Sequence, residues 1–182
     1  EWRSTTPLPT PRWAMAGALL SKDRRVVICG GKETLADEDN LATTLLFSFE
    51  KEEWVEGPPM RQARAFAAAI GLSDGRVLVV GGHDGTQALR SCEILAADGS
   101  SWSRAPSMLH CRSALGLALL PDGRVAAVGG YDGKECTQVV ELYDPSTNRW
   151  SEADVQLEHP RTEGAVASFE DGVVFVGGSD GE

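Results

Sequence analysis

RSALGLALLPDGRVAAVGGYDGKECTQVVELYDPSTNRW, residues 112–150, decides the fold. Arg112 opens a run of small and apolar residues, as Arg64 does before Ala65-Phe66-Ala67-Ala68-Ala69-Ile70. Asp122-Gly123 then separates that run from a second one, Val125-Ala126-Ala127-Val128. Asp-Gly between two apolar runs is a hairpin signal, because glycine takes a positive φ without a Cβ clash. The second run has no polar alternation, which predicts a strand buried on both faces. It ends in Gly129-Gly130, and a polar loop leads on to a third strand, Gln138 to Tyr143. The turn Asp144-Pro145-Ser146-Thr147-Asn148 leads to a fourth strand at Trp150. The stretch therefore reads as four short antiparallel strands.

The same order recurs along the chain. Gly-Gly doublets fall at 30–31, 81–82, 129–130 and 177–178, tryptophans at Trp2, Trp54, Trp102 and Trp150, and arginines at Arg12, Arg64, Arg112 and Arg161. Three residue types sharing a period near 50 mark a repeat array or propeller. A lone four-stranded sheet of this kind cannot cover both apolar faces. Stacking such sheets around an axis does cover them, with the Ala- and Gly-rich first strands where space is tightest. No 3.6-residue stripe supports a helical solenoid, and the Gly-Gly doublets replace the marks of a WD40 repeat. The repeats span approximately 12–54, 64–102, 112–150 and 161–182, the last truncated, with residues 1–11 ending a preceding blade. In this pattern Trp2 does not close onto the strand at 173–178. The reading is a single propeller segment, 1–182, whose ring is incomplete: a piece of a longer array, or one of two copies sharing a ring. Open strand edges are expected to self-associate.

The 182 residues are 42% apolar and 24% charged, a globular balance that argues against disorder and coiled coil. No apolar run approaches the ~20 residues of a membrane helix, and EWRSTTPLPTPRW does not read as a signal peptide. The net charge of −10 disfavours nucleic acid. Cys29, Cys92, Cys111 and Cys136 form no Cys-x-x-Cys, so free thiols in a reducing, cytoplasmic compartment are expected. Cys29 aligns with Val80, Val128 and Val176, and Cys92 with Val140, which predicts core positions; Cys111 is the candidate reactive thiol. His83, His110 and His159 sit in different units without metal-ligand spacing. No phosphate-binding glycine motif is present, and Glu163 is the only carboxylate within the inner-strand runs. No cofactor is expected.

Taken together, the Arg, the strand ending in Gly-Gly, the third-strand Tyr and the fourth-strand Trp resemble the kelch repeat. Residues 112–150 match best; Leu95 and Phe47 stand where Tyr143 does, and the first unit has three extra residues, placed in the loop Lys32 to Asn40. The resemblance implies an all-β, kelch-type propeller of four-stranded antiparallel blades. It also implies one rim shared by the loops after Gly-Gly and the loops leading into each first strand. The function implied is a non-enzymatic module binding another protein or peptide, with no nucleic acid or membrane partner. It would suit the substrate-recruiting part of a cullin-type ubiquitin ligase adaptor; the alternatives are an actin-associated cytoskeletal linker, or a galactose-oxidase-like or sugar-processing enzyme. Partner-binding candidates on the rim are Arg64, His83, Asp84, His110, Arg112, Tyr131, Asp132 and Lys134. For the arginines, a structural role tying blades together is the competing expectation. If they bind, replacing Tyr131 and Arg112 with Ala weakens binding and leaves the melting temperature alone.

Overall fold

The computed structural model describes residues 4–35, 40–170 and 172–181. Trp2, Asp171 and the centre of the Lys32–Asn40 loop, 36–39, lie outside the described residues. The expected turns form: Gly75 and Gly123 sit at φ 90° and 87°, a conformation that disfavours any side chain. In the first unit, which lacks Asp-Gly there, a one-turn 3₁₀ helix at Ser21–Asp23 makes the reversal, ending on a left-handed Arg24.

These turns produce three four-stranded antiparallel sheets and a two-stranded one. The first contains β1 (Ala16–Leu20), β2 (Arg25–Cys29), β3 (Thr44–Ser48) and β4 (Glu53–Gly57). The second contains β5 (Ala68–Gly71), β6 (Val77–Val80), β7 (Cys92–Leu95) and β8 (Trp102–Ala105). The third contains β9 (Gly116–Leu119), β10 (Val125–Val128), β11 (Val140–Asp144) and β12 (Arg149–Glu152). The last pairs β13 (Ala165–Phe169) with β14 (Gly172–Val176). Each sheet is laid down in chain order, first strand innermost, and β1, β5, β9 and β13 lie side by side. The described sheets do not close into a ring.

The cores lie between sheets. Val27, Cys29 and Leu46 of the first sheet meet Val77, Val79, Leu95 and Trp102 of the second. Leu78, Val80, Cys92 and Ile94 of the second meet Val125, Ala127, Tyr143 and Trp150 of the third. That is why β6 and β10 are buried on both faces, as their unbroken apolar runs require. The third- and fourth-strand markers pair across the sheet: Phe47 with Trp54, Leu95 with Trp102, Tyr143 with Trp150. Each buried indole then reaches the preceding sheet. Trp102 Nε1 donates to Pro58 O at 3.0 Å, and Trp150 Nε1 to Pro106 O at 3.0 Å.

Two strand boundaries differ from the sequence reading. The innermost strand of the second unit begins at Ala68 rather than Ala65, because Phe66 is left-handed at φ 54°. Ala14, Ala114 and Glu163 hold the equivalent positions at φ 51°, 51° and 59°. Their amides form a belt between neighbouring sheets: Phe66 N donates to Ala14 O (2.8 Å), Ala114 N to Phe66 O (2.8 Å), and Glu163 N to Ala114 O (2.9 Å). A left-handed residue with a Cβ costs about 1–2 kcal/mol, and this belt holds four of them in place. The third strand of the third unit begins at Val140 rather than Gln138, because the Gln138 and Val139 carbonyls accept from Leu157 N and Arg112 Nη1 instead.

Candidate functional site

The residue after each Gly-Gly is bridged to the segment leading into a first strand: Lys32 to Trp13, His83 to Ala65, Tyr131 to Ser113, and Ser179 to Thr162. The two families of loops therefore form one rim. Its stiffness comes from beneath. Arg64 is 1% exposed; its Nη1 donates to Gly81 O (2.7 Å) and Ser91 O (2.9 Å), and its Nη2 lies 3.1 Å from Glu93 Oε1. Arg112 repeats this one unit on, at 0% exposure, with Gly129 O (3.0 Å), Val139 O (2.9 Å) and Glu141 Oε1 (2.7 Å). Burial pulls the Arg112 guanidinium below its ordinary pKa, and the Glu141 carboxylate opposes that. Each glutamate also collects two amides from the loop leading into its own sheet: Arg61 and Gln62 on Glu93, Leu109 and His110 on Glu141.

This corrects one expectation. Arg64 and Arg112 present no surface to a partner, because each is buried with its two terminal nitrogens engaged by carbonyls and a buried carboxylate. Replacing Arg112 is therefore a folding lesion and not a clean test of binding. His110 is half exposed, with Nδ1 3.2 Å from Glu141 Oε1, so it covers the outer end of this pair. Glu93 and Glu141 were missed in the sequence reading, although both follow their arginine by 29 residues, a spacing the repeat carries twice.

The rest of the rim is open to different degrees. Tyr131 is 38% exposed, and Asp132 and Lys134 beside it are exposed. The Asp132 carboxylate accepts the Lys134 and Glu135 amides, and the Glu135 and Lys134 hydrogen bonds hold it below the usual carboxylate range. Asp84 makes the same turn one sheet back. Its burial works to raise its pKa, but Thr86 and Gln87 hydrogen bonds outweigh that and lower it. His83 is half-buried, and its Nδ1 accepts from Gly85 N at 3.0 Å. The two aspartates thus shape their loops, leaving Tyr131 and Lys134 as the freer groups. Two aromatic residues that were not among the partner-binding candidates join them: Trp13, 39% exposed, stands edge-on to Phe66 with ring centroids 5.6 Å apart, and Lys32 Nζ lies 5.8 Å from the Trp13 ring.

The cysteines divide as expected into buried and accessible. Burial pushes the Cys29 and Cys92 thiols up to about 12, while Cys111 and Cys136 are partly exposed. Cys136 is also raised, by burial and then by Asp180, Glu163 and Asp132. A thiol reagent at pH 8 should label Cys111 and, more slowly, Cys136 in the native chain, and Cys29 and Cys92 only in denaturant. Mass mapping of the labelled peptides checks this; native labelling of Cys29 would contradict the packing between the first two sheets.

Stacked four-stranded sheets with their first strands side by side, and with the loops after Gly-Gly bridged to the loops leading into each first strand, define the β-propeller class. The kelch motif model matches residues 64–109 and 119–153, so the second and third units carry kelch motifs. Kelch-like protein 33 of Homo sapiens is 32% identical over 93 residues, covering 51% of this chain and 17% of that protein. The solved structure of YjhT superposes with a TM-score of 0.84 at 14% identity, covering 98% of this chain and 63% of that one, a likeness of fold. This chain thus spans about a sixth of the length of the curated relative and under two thirds of that of the solved one. No helix among the described residues is long and apolar enough to cross a membrane.

Proposed function

We propose that the chain is a cytoplasmic, non-enzymatic interaction module that binds another protein through its rim loops, with Tyr131, Lys134, His83 and Trp13 as contact groups. The observation that carries this reading is an exposed Tyr131 on a rim whose underlying arginines are locked into buried ion pairs. Loops on a rigid scaffold are where binding groups vary freely, and tyrosine and tryptophan supply large contact area at low entropic cost. Similarity to a Kelch-like protein supports the interaction class. Within it, recruitment of a substrate to a cullin-type ubiquitin ligase is the role favoured here over an actin-associated linker, and the partner's identity separates the two.

The test recovers the tagged parent protein from its own cells, beside a Tyr131→Ala version, and quantifies stoichiometric co-purifying proteins. The variant is expected to lose its partner by roughly thirtyfold or more in affinity, the effect of truncating an aromatic anchor. Its melting temperature should stay unchanged, because Tyr131 packs into neither inter-sheet core. A partner retained at full affinity moves the interface off this rim.

A further inference from the structure

The rim loops lie at one end of the sheets, and the turns joining β1 to β2 and β3 to β4 lie at the other. There a recess of about 650 Å³ has Lys22, Arg24 and Arg25 on one wall and Glu50, Lys51 and Glu53 on the other. It opens at the junction of the first two sheets: Arg25 Nη2 donates to Asp98 O at 2.7 Å, and Lys22 lies against the Gly75 turn. The first unit departs from the repeat at this place. Arg24 stands where the later units have Gly75 and Gly123, one residue before Arg25, Arg76 and Arg124. All three are left-handed, at φ 49°, 90° and 87°. Glycine adopts that conformation freely, whereas a residue with a Cβ is strained by about 1–2 kcal/mol. Strain kept at the mouth of a recess, where glycine would relieve it, points to function.

We propose that this recess binds a phosphoryl-bearing segment of a partner polypeptide, with the phosphate on Arg24 and Lys22 and a neighbouring basic residue on Glu50 and Glu53. The charges divide in that way. In the second and third units the turn aspartate serves its own arginine, Asp74 with Arg76 and Asp122 with Arg124, each 2.7 Å from Nε. In the first unit three cations stand against one carboxylate, Asp23, in a chain of net charge −10. Lys22 and Arg24 are exposed and make no ion pair or hydrogen bond among the described residues. Asp74 is held below the usual carboxylate range chiefly by Arg76 and only weakly by Lys22. On the facing wall Lys51 lies 3.7 Å from Glu53, and Glu50 leaves that wall net negative. A phosphoryl group concentrates a charge of about −2 on three acceptor oxygens, and a guanidinium takes two such oxygens at once. A basic residue beside it matches the glutamates, which a purely acidic segment would meet with repulsion. The recess is separate from the rim, and its reading does not rest on the rim's.

The probe is a short, fluorescently labelled alanine peptide carrying phosphoserine and one arginine, titrated at low salt into the intact 182-residue chain. Saturable binding is expected. It should weaken roughly tenfold or more when serine replaces phosphoserine, and by a similar factor in an Arg24→Gly chain. The melting temperature of Arg24→Gly should not fall, because glycine relieves the left-handed residue, so that lost binding is not lost folding. A Tyr131→Ala chain should bind the peptide normally, which keeps this inference apart from the rim reading. Absence of binding, or binding indifferent to the phosphate or to Arg24→Gly, overturns the proposal. So does inorganic phosphate that binds as tightly as the phosphopeptide, since the recess then takes a free anion and no polypeptide.

Discussion

Glu141→Ala should destabilise the chain by about 3–5 kcal/mol, the cost of leaving a buried guanidinium without its carboxylate. For a chain of this length that is roughly a 10 °C fall in melting temperature. Arg112 and Glu141 are both completely buried, 2.7 Å apart, and Glu141 also serves the Leu109 and His110 amides. Arg112→Ala should cost a similar amount by stranding the carboxylate and freeing the Gly129 and Val139 carbonyls. The double variant should cost clearly less than the sum, because neither charge is left alone. Lys51, exposed beside Glu53, provides the contrast: Lys51→Ala should shift stability by no more than about 0.5 kcal/mol. Urea unfolding of the four proteins decides the matter. Additive losses would mean that the pair is held apart by water and that the rim is not stiffened in this way.

The arginines show how far the sequence reading reaches. Their period placed them at the start of each unit, and a charged residue recurring once per blade implied a tie between blades. Its partner was legible too, since Glu93 and Glu141 repeat at the same 48-residue step, but Leu45 holds that place in the first sheet and breaks the pattern. There Arg12 turns to Gly30 O and Thr43 Oγ1 instead. The left-handed belt was not legible. Ala14, Phe66, Ala114 and Glu163 share no local preference for positive φ; backbone bonds to a neighbouring sheet some 50 residues away impose it. The same distance hid Trp13 and Phe66, which meet only because their sheets are adjacent. Strand type, turn positions and cross-strand markers are short-range or periodic features, and these the sequence carries openly.

Gly81→Ala should cost more than Gly177→Ala, although both open a Gly-Gly doublet and both sit at similar positive φ, 62° and 73°. The left-handed conformation alone costs an alanine about 1–2 kcal/mol. At Gly81 a second cost is added. A Cβ there would drive into the carbonyl oxygen of Arg112 and sit 3.2 Å from Met108 Cε and 3.3 Å from Leu115 Cδ2, whereas at Gly177 nothing among the described residues lies within 4 Å. The Arg112 carbonyl cannot retreat cheaply, since it accepts Gly82 N at 2.9 Å and its own side chain is pinned to Glu141. Displacing that segment breaks the hydrogen bond and opens the core beneath, so a total loss of about 3 kcal/mol or more is expected at Gly81. The urea midpoints of the two variants measure the difference directly. Equal midpoints would show that the doublet serves only its own backbone conformation. A large gap would show that each doublet is glycine because the next blade's backbone lies against it, which is what makes Gly-Gly a marker of blade packing rather than of a turn.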